Sequence, residues 1–231
     1  MVLALHDGRM VPTAPTREWP FSRHCLSKTW LRFFAGRDSC SHSWNAVVSE
    51  PADNQQIVEA TRHWLEKLVI GLNLCPFAGL PWRQGRVRIK VSDATRPQEL
   101  AEELADELMA LRNSDPAECE TTLLIHPQVL GDFLEYNDFL EIADRLLEDL
   151  SLDGTIQIAS FHPDYQFADS QPDDPANYTN RSPYPMLHLL REASVEAAIA
   201  SIPDPDAIFE HNIKTLRSLG VDGWKELLEE P

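Results

Sequence analysis

Residues 121–163 read TTLLIHPQVLGDFLEYNDFLEIADRLLEDLSLDGTIQIASFHP. Thr121–Ile125 is a short apolar run with β-branched residues at both ends, which suits a buried strand. Phe139, Ile142, Ala143, Leu146, Leu147 and Leu150 recur at helical spacing and mark a helix that begins near Leu134–Asp138. Gly154 punctuates, and Thr155–Phe161 is the next strand. A strand, a helix and a strand in that order imply parallel pairing through a right-handed crossover.

The pattern extends in both directions. Upstream, Pro97 opens a helix carried by Leu100, Leu104, Leu108 and Leu111, and Arg86–Val91 alternates basic and apolar residues as a half-wet strand does. Further back, Asp53 is placed to cap a helix with Gln56 as its capping partner. Ile57, Ala60, Trp64, Leu65, Leu68, Val69 and Leu72 then follow at helical spacing, until Gly71, Asn73 and Pro76 end it. Downstream, a long polar loop runs from about Asp164 to Pro183. Pro185 is read as opening a helix to about Ala200. Asp204 and Pro205 cap another that Gly220 ends, and a last short helix follows Asp222. The expected fold is α/β: a small, mainly parallel sheet of three or more strands, flanking helices and a helical C-terminal part.

The chain has 231 residues, 43% hydrophobic and 25% charged, which bounds it to one ordinary globular domain with a core. Residues 1–50 stand apart. They carry six Lys/Arg against four Asp/Glu, while the whole chain has a net charge of -17. They show no sustained period and make a poor secretory signal. The expected organisation is a disordered leader or mis-assigned start over 1–50 and a single α/β domain over 51–231. Such acidity disfavours nucleic acid and anionic membrane as partners, and no apolar run is long enough to span a bilayer. Cys25, Cys40, Cys75 and Cys119 form no C-x-x-C pair and are read as reduced thiols of a cytoplasmic protein.

Two strands end alike, in His126-Pro127 and His162-Pro163. Ligands of open parallel sheets bind beyond the carboxyl ends of the strands, so both imidazoles fall where a site is expected. The plainer alternative is a His-Pro turn with each ring bonded to a nearby carbonyl. The stretch after His162 is dense in recognition chemistry: Asp164, then Asn177, Asn180, Arg181 and Tyr184, then His188 and Arg191. Read on a helix, His188 and Arg191 share a face near a positive N-terminus. Guanidiniums offer a planar fork to carboxylate or phosphate. The structural alternative has the same residues holding the loop together and the arginines in ion pairs. Cys75, just past the first helix, is a candidate nucleophile or a small core residue. His126, His162, His188 and Asp164 would make an N3O set acceptable to zinc or iron(II), although no H-x-x-x-H or H-E-x-x-H spacing supports it. Walker, Rossmann and nucleophile-elbow motifs are absent.

Four stretches resemble a known family. They are Asn73-Leu74-Cys75-Pro76-Phe77-Ala78, Glu120-Thr121-Thr122-Leu123-Leu124, Ser160-Phe161-His162-Pro163-Asp164-Tyr165-Gln166-Phe167, and Asn177 through Glu192. They resemble the domain of unknown function 1415 family over about residues 54–220. The resemblance implies a soluble protein of bacterial or plastid type and implies no activity.

The expected function is that of an enzyme acting on a small anionic carboxylate or phosphate substrate. His162 would be the acid or base with Asp164 orienting it, and His188 and Cys75 would be further catalytic candidates. Asn177, Asn180, Arg181, Tyr184, Arg191 and His126 would form the binding pocket. No cofactor follows from the sequence. Two rivals stand beside this reading: a non-catalytic binding or regulatory module whose acidic helices and long loop meet a basic partner protein, and a metal-dependent hydrolase using the histidines.

Overall fold

A computed structural model describes residues 53–229, except 169, 201–203 and 205. The expected leader, Cys25 and Cys40 lie outside the described residues.

Helix α1 covers Asn54–Trp64. Its capping contact runs from the Gln55 amide to the Asp53 carboxylate at 3.5 Å, and Gln56 is not the partner. The helix then widens into a π-turn over Leu65–Ile70. At Gly71 a Cβ would run into the Lys67 carbonyl oxygen, so only glycine closes this wide turn. Asn73, at φ 55°, takes the left-handed conformation that asparagine tolerates, and the chain leaves the helix. A short helix α2, Gly79–Arg83, precedes β1, Val87–Val91. Then come α3 (Pro97–Asn113), β2 (Thr121–Ile125), α4 (Phe133–Asp149) and β3 (Ile156–Phe161), all close to their expected places. The Asp132 carboxylate caps α4 by accepting from the amides of Leu134 and Glu135.

The segment after Pro185 departs from the helix that the sequence pattern suggests. Met186–Arg191 is not the start of a helix but a strand, β4. The helix α5 begins only at Glu192 and runs to Ala200, and α6 covers Asp206–Glu229 with a break at Gly220, φ 70°. The six residues Met-Leu-His-Leu-Leu-Arg are too short a run for periodicity to separate strand from buried helix. The consequence is topological. Strand order is β1-β2-β4-β3, with β1 and β2 parallel and β4 antiparallel to both β2 and β3. The sheet is therefore mixed, not mainly parallel. β1, β2 and β3 do run the same way, but β4 is inserted between the last two.

Both faces are covered. On one, Leu123, Ile125, Phe161, Met186 and Leu190 pack with Trp64, Leu65 and Leu68 of the first helix and with Leu216 and Trp224 of α6. On the other, Leu124, Leu187 and Leu189 pack with Leu100, Leu104 and Leu108 of α3 and with Phe139, Ala143 and Leu147 of α4. This is the helix-sheet-helix layering of α/β proteins.

The sheet leaves two edge strands, β1 and β3. Backbone direction alternates along each strand, and the hydrogen bonds at the strand ends set the phase. Ile156 N–H bonds outward to the Leu152 carbonyl, and the Ser160 carbonyl accepts outward from Asn180 Nδ2. Ile156, Ile158 and Ser160 thus face away from β4, and Gln157, Ala159 and Phe161 face it.

Candidate functional site

The strand-end histidines meet at one end of the sheet. His126 closes β2, and its amide donates to the Pro185 carbonyl just before β4. His162 closes β3, and its amide donates to the Asn180 carbonyl. Neither residue has exposed surface. Tyr136, at the end of the first turn of α4, has its ring 5.7 Å from that of His126, nearly parallel to it, and 5.1 Å from that of His162. Phe133 lies 5.4 Å from His162 and also 5.4 Å from Tyr165. The result is a closed box of aromatic and imidazole rings at the carboxyl ends of β2 and β3.

The polar atoms of this box are committed to backbone. His126 Nδ1 donates to the Val129 carbonyl at 2.9 Å. The Asp164 amide donates to His162 Nδ1 at 3.0 Å, which puts the His162 proton on Nε2, facing the Leu130 carbonyl at 3.3 Å. Leu130 presents that carbonyl from a left-handed conformation, φ 57°. The Tyr136 hydroxyl accepts from the Phe161 amide at 3.0 Å and donates to the Met186 carbonyl at 2.9 Å. One polar atom is left over: His126 Nε2 is buried and has no hydrogen-bond partner.

Burial sets the protonation states. It pushes His126 down to about 4, against the help of the Val129 carbonyl, and the neighbouring His162 lowers it further. Burial also lowers His162, although the Leu130 carbonyl, Asp164 and Asp132 all favour its charged form. Burial raises Tyr136 and pushes Tyr165 up to about 12. The box is thus neutral at ordinary pH. Its one available function is to accept a hydrogen bond at His126 Nε2.

Of the other candidates Asn180 touches it, its carbonyl accepting from the His162 amide and its own buried Oδ1 left without a partner, and the rest do not join it. Arg191 lies opposite Ile156, at the far end of β3 from Phe161 and His162. Five residues of strand separate the two ends, roughly 17 Å. On a strand, moreover, the spacing of His188 and Arg191 puts them on opposite faces. Arg191 Nη2 sits 2.6 Å from the Leu111 carbonyl, 2.8 Å from that of Ser114 and 3.2 Å from that of Cys119, capping the end of α3. His188 is half-buried in mid-sheet, where its Nε2 donates to the Thr121 hydroxyl at 2.7 Å. That hydroxyl donates in turn to the Leu189 carbonyl. Arg181 bonds the Tyr165 and Pro172 carbonyls and lies 4.4 Å over the Tyr178 ring. Asn177 is committed to the loop: its Oδ1 accepts from Phe167 N and Ser170 Oγ, and its Nδ2 donates to the Gln171 carbonyl. Asn180 ties the loop to Ser160, and Tyr184 is a half-buried ring against the core. Cys75 is buried among core side chains. The loop from 164 to 185 is therefore knotted by its own polar groups. The helix N-terminus expected beside Arg181 does not exist, because Met186–Arg191 is strand. Among the described residues no three His, Cys, Asp or Glu side chains converge as a metal-binding group.

Two open hollows stand out among the described residues, and neither touches the box. One, about 270 Å³, is mostly apolar and lined by Asn73, Pro76, Asp204, Ala207, Ile208 and His211. The other, about 450 Å³, lies at the start of α3 between Asp93, Thr95, Glu99, Glu102, Glu103 and Asp106.

The placement of Arg191 makes a measurable difference to stability. Arg191→Ala is expected to cost about 2–3 kcal/mol, since a charged donor is withdrawn from several carbonyls at a helix end. Urea unfolding of the variant checks it. A loss below about 0.5 kcal/mol, the range of an ordinary surface change, would mean that water satisfies the end of α3 equally well.

Neither Tyr136 nor Tyr165 stands out in the sequence as a site residue. A signal for Tyr136 is nonetheless present: a tyrosine on the apolar stripe of α4 must find a partner for its hydroxyl. No curated protein and no solved structure matches the chain. Residues 56–226 match the family model described as "Protein of unknown function (DUF1415)". Spanning most of the chain and all four sheet strands, that match makes this chain a member of the DUF1415 family.

Proposed function

We propose that this chain is a binding module whose acidic helical layer engages a basic partner protein. The observation that carries the reading is the charge on the outer face of α3 and α4. The two helices hold eleven Asp/Glu and two Lys/Arg, and all the acids but Glu107, which is buried against Arg88, are at least partly exposed. They cover the same face of the sheet, and all six α4 carboxylates are exposed. The 450 Å³ hollow at the start of α3 belongs to this face and is lined by five carboxylates and no cation. Arg96 beside Glu99 holds that carboxyl down to about 2, so it is charged across the physiological range. Like-signed charge along one surface steers and selects an oppositely charged partner. The arginines that an anionic-substrate enzyme would need are spent on backbone carbonyls at separate places, which weighs against the arginine-clamp form of that reading.

Acid–base chemistry keeps one observation in its favour, the unpaired His126 Nε2, because an orphaned buried acceptor calls for a ligand or a water. One experiment separates the two readings: thermal unfolding of the full chain with an oligolysine peptide, and separately with small carboxylates and phosphates. The peptide is expected to raise Tm at low salt, and the effect is expected to fade towards roughly 0.5 M salt, where screening is short-ranged. The combined change Glu102→Lys, Glu103→Lys and Asp106→Lys should abolish it. Stabilisation by a small anion and none by the peptide would overturn the module reading and restore the enzyme.

A further inference from the structure

One patch on the sheet stays open. On the face that packs against α1 and α6, the side chains of the four strands are apolar except for Thr121, His188 and Gln157. Leu123, Met186 and Phe161 of this face are buried, whereas His188, Ala159 and Gln157 stay half-exposed. Register gathers these three. His188 stands opposite Ala159 and Gln157 opposite Leu190, so Gln157 and His188 are diagonal neighbours across β3 and β4. Diagonal side chains start about 7 Å apart, a span that one small molecule bridges. Between them Ala159 contributes a single methyl group, which leaves room above it.

The polar groups here have a defined hydrogen-bonding sense. The Thr121 hydroxyl gives its proton to the Leu189 carbonyl, so towards His188 Nε2, 2.7 Å away, it accepts. The His188 proton is therefore on Nε2, bonded to β2, and Nδ1 is left as an acceptor that no described residue meets. Burial keeps the ring uncharged, taking it down to about 3. On the β3 side, Gln157 Nε2 is a buried donor without a hydrogen-bond partner, and such a group calls for one. We propose that this patch binds a small neutral molecule by an amide edge, which gives an N–H to His188 Nδ1 and presents a carbonyl oxygen to Gln157 Nε2.

The surroundings narrow the ligand class. The Nδ1 atom of a neutral imidazole rewards a donor and repels a carboxylate or phosphate, which brings acceptors alone. An ammonium group would lose its hydration and find no carboxylate on this face of the strands to replace it. A lactam, cyclic imide or cyclic ureide sets N–H beside C=O on one planar edge and offers an apolar remainder to the apolar floor. The Thr121 bond and the sheet itself fix the imidazole in advance, so little ordering is left to be done on binding. The patch lies on the opposite face of the sheet from α3 and α4, and it does not depend on the acidic-face reading.

The test is nitrogen-edited NMR of the full chain, titrated with pyrrolidinone and with uracil. Two controls run beside them: N-methylpyrrolidinone, which lacks the N–H, and acetate, which is charged. Both amide probes should shift the Gln157 side-chain amide and the His188 ring nitrogens, with Kd of about 1 mM or tighter, and the controls should not. Ala159→Leu fills the patch without removing a polar group, and Gln157→Leu removes the donor; each should weaken binding about tenfold or more. Should either variant fail to fold, the wild-type titrations decide the matter. No shift at the two residues up to roughly 20 mM probe overturns the proposal. Equal binding of either control overturns it too, as does undiminished binding by both folded variants.

Discussion

Tyr136→Phe is expected to lower the unfolding free energy by about 2–4 kcal/mol, a large loss for one oxygen atom. The hydroxyl sits at the last rung between β3 and β4 and touches a backbone group of each. Phe161 and Met186 are register partners, yet the Phe161 amide donates to the tyrosine oxygen, and that oxygen donates to the Met186 carbonyl. Tyr136 is fully buried, so neither backbone group finds bulk water when the hydroxyl goes. A buried backbone group that loses its partner costs about 1–3 kcal/mol, while phenylalanine keeps the ring and leaves little cavity. The loss is therefore one of hydrogen bonding, with the ring contacts to His126 and His162 retained. Urea unfolding should show a lower midpoint at unchanged m-value. A loss under about 0.5 kcal/mol would mean that the rung closes directly without the hydroxyl.

The same residue shows where sequence reading stops. β1, α3, β2, α4 and β3 are legible because each carries one clear period or a chemical stop: Pro97 at a helix start, the short apolar run Thr121–Ile125, Asp132 as a cap. β4 is not, because Met186–Arg191 is apolar on both faces, as a central strand must be, and so shows no alternation. That one segment carries most of the expected site with it. Placed on a helix, His188 and Arg191 share a face beside Arg181. Placed on a strand, they part to opposite faces of the sheet, and Arg191 moves to the end away from His162. The strand-end histidines survive the correction because their position depends only on β2 and β3. The destination of each guanidinium is not a local property. Arg191 serves the end of α3, some eighty residues earlier in the chain, and nothing in the spacing of polar residues after His162 encodes that. The plainer alternative weighed for each histidine, a ring bonded to a nearby carbonyl, describes what His126 and His162 do.

Acidification should destabilise this protein well before its carboxylates protonate. His126 is buried without exposed surface, and its folded-state value is pushed down from an ordinary 6.5 to about 4. His188 is taken to about 3 by burial. His162 is lowered as well. In each case the unfolded chain binds a proton that the folded chain refuses. Stability is then fully present above about pH 6.5 and falls as pH drops from there toward 4. A tenfold difference in proton affinity between folded and unfolded chain corresponds to about 1.4 kcal/mol. His126 alone therefore costs about 3 kcal/mol by pH 4, a large part of the stability of many domains, and the half-buried His188 adds to it. The opposing effect is relief of repulsion in a chain of net charge -17. That relief needs carboxyl protonation, near pH 4 for ordinary Asp and Glu, so from 6.5 to 5 the histidines act with little opposition. Among the described residues the His126 ring stacks on Tyr136 and bonds the Val129 carbonyl, and His162 beside it opposes its protonation. Urea unfolding from pH 7.5 to 5 should show stability declining by about 2–4 kcal/mol. His188→Gln keeps a donor towards Thr121 and should flatten part of that slope while leaving the His126 contribution. A wild-type profile flat over this range would mean that the imidazoles reach water in the folded protein, and the closed ring box at the ends of β2 and β3 would then be open.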